Sequence, residues 1–119
     1  RMRKLGVILE EVIPPAYFGD PDPDLLLVTW GSSLGSVREA AEQIGGKTAV
    51  LFFSQVWPLV PTRFIDRLRS AKRVVSVEGN SAGQFARLIR RETGFEIADR
   101  VLRYDGLPIT PEYIMRELK

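Results

Sequence analysis

Glu78 and Asp105 each stand at the end of a short apolar run, and a carboxylate held there in a dry crevice could serve as a general base with a raised pKa. Glu78 has a second reading, as an acceptor of N–H groups within its own loop. The 119 residues contain no histidine and no cysteine, which removes imidazole bases, thiolate nucleophiles, disulfides and thiolate-held zinc or iron–sulfur clusters. Ser32 and Ser33 therefore lack a histidine to activate them, and no lysine follows at a spacing that would replace it, so a serine nucleophile is not expected.

Two glycine-containing loops, Gly31 to Ser36 and Glu78 to Gln84, each open a predicted helix whose first N–H groups are free, and an anion could sit between them. Helix capping explains the same residues: Ser36 with Glu39 and Ser81 with Gln84 have capping-box spacing, and the glycines suit tight turns. The first loop lacks both the G-x-G-x-x-G spacing and the P-loop lysine, so no nucleotide site is assigned. The loop Gln55-Val-Trp-Pro-Leu-Val-Pro61 places Trp57 either over the core or against a partner. Arg87, Arg90 and Arg91 share one helical stretch that could meet phosphates or an acidic surface, with a solvated helix face as the plainer account.

The elements that must position these residues follow from periodicity. Leu5, Ile8, Leu9 and Val12 have helical spacing, so residues 1–13 are read as a helical lead-in. Four prolines and three aspartates between Pro14 and Asp24 suggest a linker over 14–23, with the compact unit at 24–119. Four short apolar runs are read as strands: Leu25 to Trp30, Thr48 to Phe53, Arg73 to Val77 and Val101 to Tyr104. Helices follow them near residues 36–44, 61–70, 81–93 and 111–118, with Gly45, Gly46 and Gly94 as stops and Thr110-Pro111 as a start. This alternation selects a doubly wound, mainly parallel sheet of four to five strands with helices on both faces, the predicted strands lying in the order 2-1-3-4. Ligands of such sheets settle where the winding reverses, here between the first and third predicted strands.

Chain-wide properties narrow the function classes. The net charge of +2 implies no nucleic acid, and no apolar run approaches the roughly 20 residues of a membrane span. A cysteine-free chain fits a reducing cytoplasm. The first residue, Arg1, is the basis for expecting an excised domain.

Asp24-Leu-Leu-Leu-Val-Thr-Trp-Gly-Ser-Ser33, Gln55-Val-Trp-Pro58, Val77-Glu-Gly-Asn-Ser-Ala-Gly-Gln84 and Arg103-Tyr-Asp-Gly-Leu-Pro108 together resemble the second domain of 2-oxoacid:ferredoxin oxidoreductase alpha subunits, closest to the 2-oxoglutarate type. The resemblance covers nearly the whole chain, and Arg1 to Leu5 looks like the segment leading in from the preceding catalytic domain. It implies a fold similar to the C-terminal domain of transketolase and a role in assembly. The implied partners are the catalytic domain of the same subunit, a thiamine-binding beta subunit and, through the whole complex, ferredoxin. The intact enzyme would use thiamine diphosphate, magnesium, iron–sulfur clusters and CoA; no cofactor, metal or catalytic residue is expected in this chain, which alone would be inactive. Ser32, Ser33, Trp57, Glu78, Asn80, Gly83 and Gln84 are the candidate crevice or interface residues. Ser81 stands where the family commonly has an aromatic side chain, so no stacking role is carried over to it. The competing reading is a free-standing ligand-binding or switch module on a similar sheet. A receiver-type switch would need acidic residues where Thr29-Trp30-Gly31 stands.

Overall fold

Runs rich in Val, Leu and Phe with no polar alternation bury both of their faces, and that is how the central strands lie. In the computed structural model, which describes residues 13–54, 59–79, 83–103 and 107–118, five strands form one sheet. They are β1 (Ala16–Gly19), β2 (Leu25–Trp30), β3 (Thr48–Phe53), β4 (Arg73–Glu78) and β5 (Asp99–Leu102), arranged β1-β3-β2-β4-β5. All neighbours are parallel except β1, which runs antiparallel to β3. The expected order of the four parallel strands is therefore observed, and the winding reverses between β2 and β4.

The parallel crossovers run through helices on both faces. Helices α1 (Leu34–Ile44) and α4 (Pro111–Leu118) pack Val37, Ala40 and Ile114 against Leu27, Val50, Val75 and Val101. On the other face, α2 (Ile65–Ser70) and α3 (Gln84–Thr93) pack Leu68, Phe85, Ala86 and Ile89 against Leu26, Val28, Ala49 and Leu51. Full burial of each Val, Leu, Ile or Phe side chain among these stabilises the fold by roughly 1.5–3 kcal/mol, before the ordering entropy is counted. The helix ends follow their local chemistry. Gly94 takes a left-handed φ of 79° and donates its N–H to the Arg90 carbonyl, while Thr110 Oγ1 accepts the Tyr113 N–H at 3.1 Å.

Three local expectations need correction. The proline-rich stretch read as irregular linker contains β1, paired residue for residue with β3 from Ala16 opposite Phe52 to Gly19 opposite Ala49. Its two aromatics earn their place: Tyr17 faces the α2 side under the Arg67 guanidinium (4.0 Å), and Phe18 faces the α1 side under Arg38 (4.1 Å). Gly19 ends the strand at φ 110°, where a Cβ would lie 2.6 Å from the Thr48 carbonyl oxygen. Second, Ser36 does not cap α1. A 3-10 turn over Gly31–Ser33 leads into that helix, and the Ser36 hydroxyl instead donates to the Ile109 carbonyl at 2.8 Å, tying α1 to the approach of α4. Third, the strand expected at Val101 to Tyr104 begins two residues earlier, at Asp99, and ends at Leu102. The lead-in helix, Ser81, Tyr104 and Asp105 fall wholly or in part outside the described residues.

Candidate functional site

Because β2 and β4 send their chains to opposite sides, their carboxyl ends open a crevice bounded by Trp30-Gly31 and Glu78-Gly79. Glu78 is 1% exposed, although a carboxylate seldom stays in so dry a place without partners. It has them. The Phe85 N–H donates to Oε1 at 2.8 Å, the Ala86 N–H to Oε2 at 3.2 Å, and the Trp30 indole Nε1–H to Oε1 at 3.3 Å. A strand residue thus caps α3 from seven positions back and meets the positive end of the helix dipole. Among the described residues, two of these donors come from the first turn of the helix.

Beneath the carboxylate lies an aromatic cluster. Trp30, half-buried, is tilted against Phe85 with centroids 6.1 Å apart, and Phe53 meets Phe85 and Phe64 edge-on at 4.8 and 5.0 Å. The crevice floor is therefore stiff. Thr29, on the opposite face of β2, donates its hydroxyl to the Val77 carbonyl at 3.1 Å, and the Arg103 N–H donates to the Glu78 carbonyl at 3.2 Å, so both strand ends are tied to their neighbours.

The other candidate residues distribute unevenly. Gly83 is buried at φ 60°, immediately before α3, and a Cβ there would lie 3.3 Å from Cδ of Arg100, so the missing side chain gives the arginine its seat. Gln84 is exposed at the start of α3. Ser32 is exposed and Ser33 half-buried in the 3-10 turn, and neither hydroxyl caps a helix. Trp57 and Asn80 lie outside the described residues. What the residue reading missed is Trp30, the donor that links β2 to Glu78; its place at the end of the first predicted strand was the available signal.

This geometry limits the chemistry. An anion arriving at α3 would face N–H groups already donated to a carboxylate and would meet that negative charge as well. No three potential metal-ligating side chains converge among the described residues. A surface cleft of about 340 Å³, walled by Phe18, Asp20, Arg38 and Glu42, lies at the opposite edge of the sheet. No helix among the described residues is long and apolar enough to cross a membrane.

Fold and site define a three-layer, doubly wound α/β domain whose switch point is filled by its own carboxylate cap. No family model matches the sequence. The alpha subunit of 2-oxoacid:ferredoxin oxidoreductase 1 from Aeropyrum pernix is 36% identical over 99 residues, covering 78% of this chain and 15% of that protein. The corresponding subunit from Saccharolobus solfataricus is 25% identical over an alignment covering the entire chain and 20% of its own length. Among solved structures, the 2-oxoglutarate:ferredoxin oxidoreductase of Magnetococcus marinus, with 2-oxoglutarate, coenzyme A and succinyl-CoA bound, superposes with a TM-score of 0.86 at 28% identity, covering 98% of this chain and 21% of the other. The alpha chain of a probable 2-oxoacid ferredoxin oxidoreductase from Thermoplasma acidophilum is 30% identical with a TM-score of 0.59, covering 88% of this chain and 93% of its own. The chain belongs to the 2-oxoacid:ferredoxin oxidoreductase alpha-subunit family. It spans no more than a fifth of the length of the curated relatives it matches.

Proposed function

We propose that this chain is the C-terminal, transketolase-like domain of the alpha subunit of a cytoplasmic 2-oxoacid:ferredoxin oxidoreductase acting on 2-oxoglutarate, and that it supports domain and subunit association. The observation that carries the reading is the superposition of 98% of the chain on a 2-oxoglutarate:ferredoxin oxidoreductase. The whole enzyme would oxidatively decarboxylate its oxoacid to an acyl-CoA and pass the electrons to ferredoxin. Thiamine diphosphate would supply the carbanion chemistry when bound elsewhere in the assembly. The described residues here do not fit a diphosphate–magnesium site: the crevice carboxylate is committed to three N–H donors and no ligand cluster converges. No step of the reaction is therefore assigned to this chain.

What these residues do is hold a rigid edge. Glu78 locks β4, β2 and α3 together, and the crevice loops would present that edge to the catalytic domain of the same subunit and to a thiamine-binding beta subunit, with Trp57 proposed as an apolar anchor. The test is reconstitution of the full alpha subunit with its partner and measurement of CoA-dependent ferredoxin reduction with a panel of 2-oxoacids. Reduction driven by 2-oxoglutarate is expected. No reduction with any 2-oxoacid would overturn the proposal, and reduction by pyruvate alone would overturn its substrate.

A further inference from the structure

Charge is segregated between the two helical layers. On the α2/α3 face, the turn and helix over residues 61–70 carry Arg63, Arg67 and Arg69 against Asp66, and α3 carries Arg87, Arg90 and Arg91 against Glu92. On the other face the sign reverses: α1 has Arg38 against Glu39 and Glu42, and α4 has Arg116 against Glu112 and Glu117. A domain solvated on both sides has no need of this polarity.

The arginines of α3 concentrate it. Arg87 lies three positions from Arg90 and four from Arg91, so all three project from one exposed side, with neighbouring Cβ atoms about 5–6 Å apart. Arg100, seated on Gly83, extends the row to the crevice edge. Arg91 has a carboxylate neighbour in Glu92 at 3.4 Å, whereas Arg87, Arg90 and Arg100 have no carboxylate partner among the described residues. Like charges at these spacings oppose the helix, and the described residues offer Arg87 and Arg90 no carboxylate to offset that cost.

We infer that this arginine row docks an acidic face of another subunit in the assembled enzyme. The inference deepens the proposed association role and rests on it. Guanidinium groups take carboxylates in paired, directional hydrogen bonds, and arginine is enriched where proteins meet. Two other occupants fit less well. A bilayer would need an apolar face to insert, but Phe85, Ala86 and Ile89 of α3 are buried against the sheet. A ferredoxin must dock near the cluster that reduces it, and a chain without cysteine holds no thiolate-ligated cluster.

The test uses the whole enzyme with Arg87→Glu and Arg90→Glu combined in the alpha subunit, and Arg87→Lys with Arg90→Lys as the conservative pair. Subunit association is measured by analytical ultracentrifugation between low and high salt. The glutamate pair should weaken association at low salt by about tenfold or more and flatten its salt dependence, with little change in the melting temperature of the alpha subunit alone. The lysine pair should restore most of the affinity. Wild-type association and salt response in the glutamate variant would overturn the inference. So would a defect confined to the KM for ferredoxin, or a lowered melting temperature of the alpha subunit alone with intact assembly. Failure of the wild-type enzyme to turn over any 2-oxoacid would instead overturn the proposed function, so the two outcomes are distinct.

Discussion

Replacing Glu78 by glutamine isolates what the buried carboxylate does. Glutamine keeps the shape and one acceptor oxygen, but its NH2 group must face either the Ala86 N–H or the pair formed by the Phe85 N–H and the Trp30 indole. At least one bond becomes a donor–donor contact, and those that survive lose their charge assistance. Hydrogen bonds to a charged group contribute about 1.5–3 kcal/mol and neutral ones about half that, so the substitution should cost roughly 2–4 kcal/mol. In a domain of this size 1 kcal/mol moves the melting temperature by roughly 3–6 °C, giving an expected fall of about 6–24 °C by circular dichroism at neutral pH. Native-state hydrogen exchange supplies a local readout, because the Phe85 and Ala86 amides should lose protection beyond what the global loss explains. A variant melting within about 1 °C of the wild type, with both amides still protected, would refute the capping argument.

Ser76 lies at the centre of the sheet with its hydroxyl buried and no hydrogen-bond partner among the described residues, so Ser76→Ala should leave stability unchanged or raise it by up to about 1–2 kcal/mol in urea unfolding. Gly19→Ala should cost about 2–4 kcal/mol by the same measurement, since the new methyl would meet the β3 backbone at a φ that side chains avoid. Tyr17 is held above its ordinary value of 10.0, chiefly by burial, with Asp20 and Asp22 adding to the rise and Arg67 opposing it. The unfolded chain therefore loses that proton first, and stability should decline as pH rises from about 10 through the folded-state value. Absorbance at 295 nm and urea midpoints on either side of pH 10 should show this component vanish in Tyr17→Phe.

The parallel core was legible because strands buried on both faces leave continuous apolar runs, as Leu25 to Trp30 and Thr48 to Phe53 do, and glycine or a capped proline marks the helix ends between them. β1 was hidden because Pro15 and the Asp20-Pro-Asp-Pro sequence after Gly19 outweigh four strand residues; the adjacent Tyr17 and Phe18 were the readable sign. At the site, local spacing misled. The Ser36 hydroxyl serves a carbonyl 73 residues away, and α3 takes its cap from a side chain on β4, relations made by the fold and absent from any short window. Trp30 reads as one more apolar strand residue until its indole N–H is placed against Glu78.

The direction of β1 fixes where the chain enters the domain. Because it is antiparallel, Ala16 pairs with Phe52 and Gly19 with Ala49, so the strand starts at the carboxyl edge and finishes at the amino edge. Had it run parallel, the entering residues would emerge about 20 Å away, the length of a six-residue strand. Instead, Ile13 to Pro15 join the sheet on the rim that carries Trp30 and Glu78, beside the crevice rather than beneath it. Ile13 to Pro15, which span at most about 10 Å, tether β1 to the preceding part of the chain at that rim. The two guanidinium groups clasping Tyr17 and Phe18 anchor the tether, making the antiparallel strand a mooring as well as an edge.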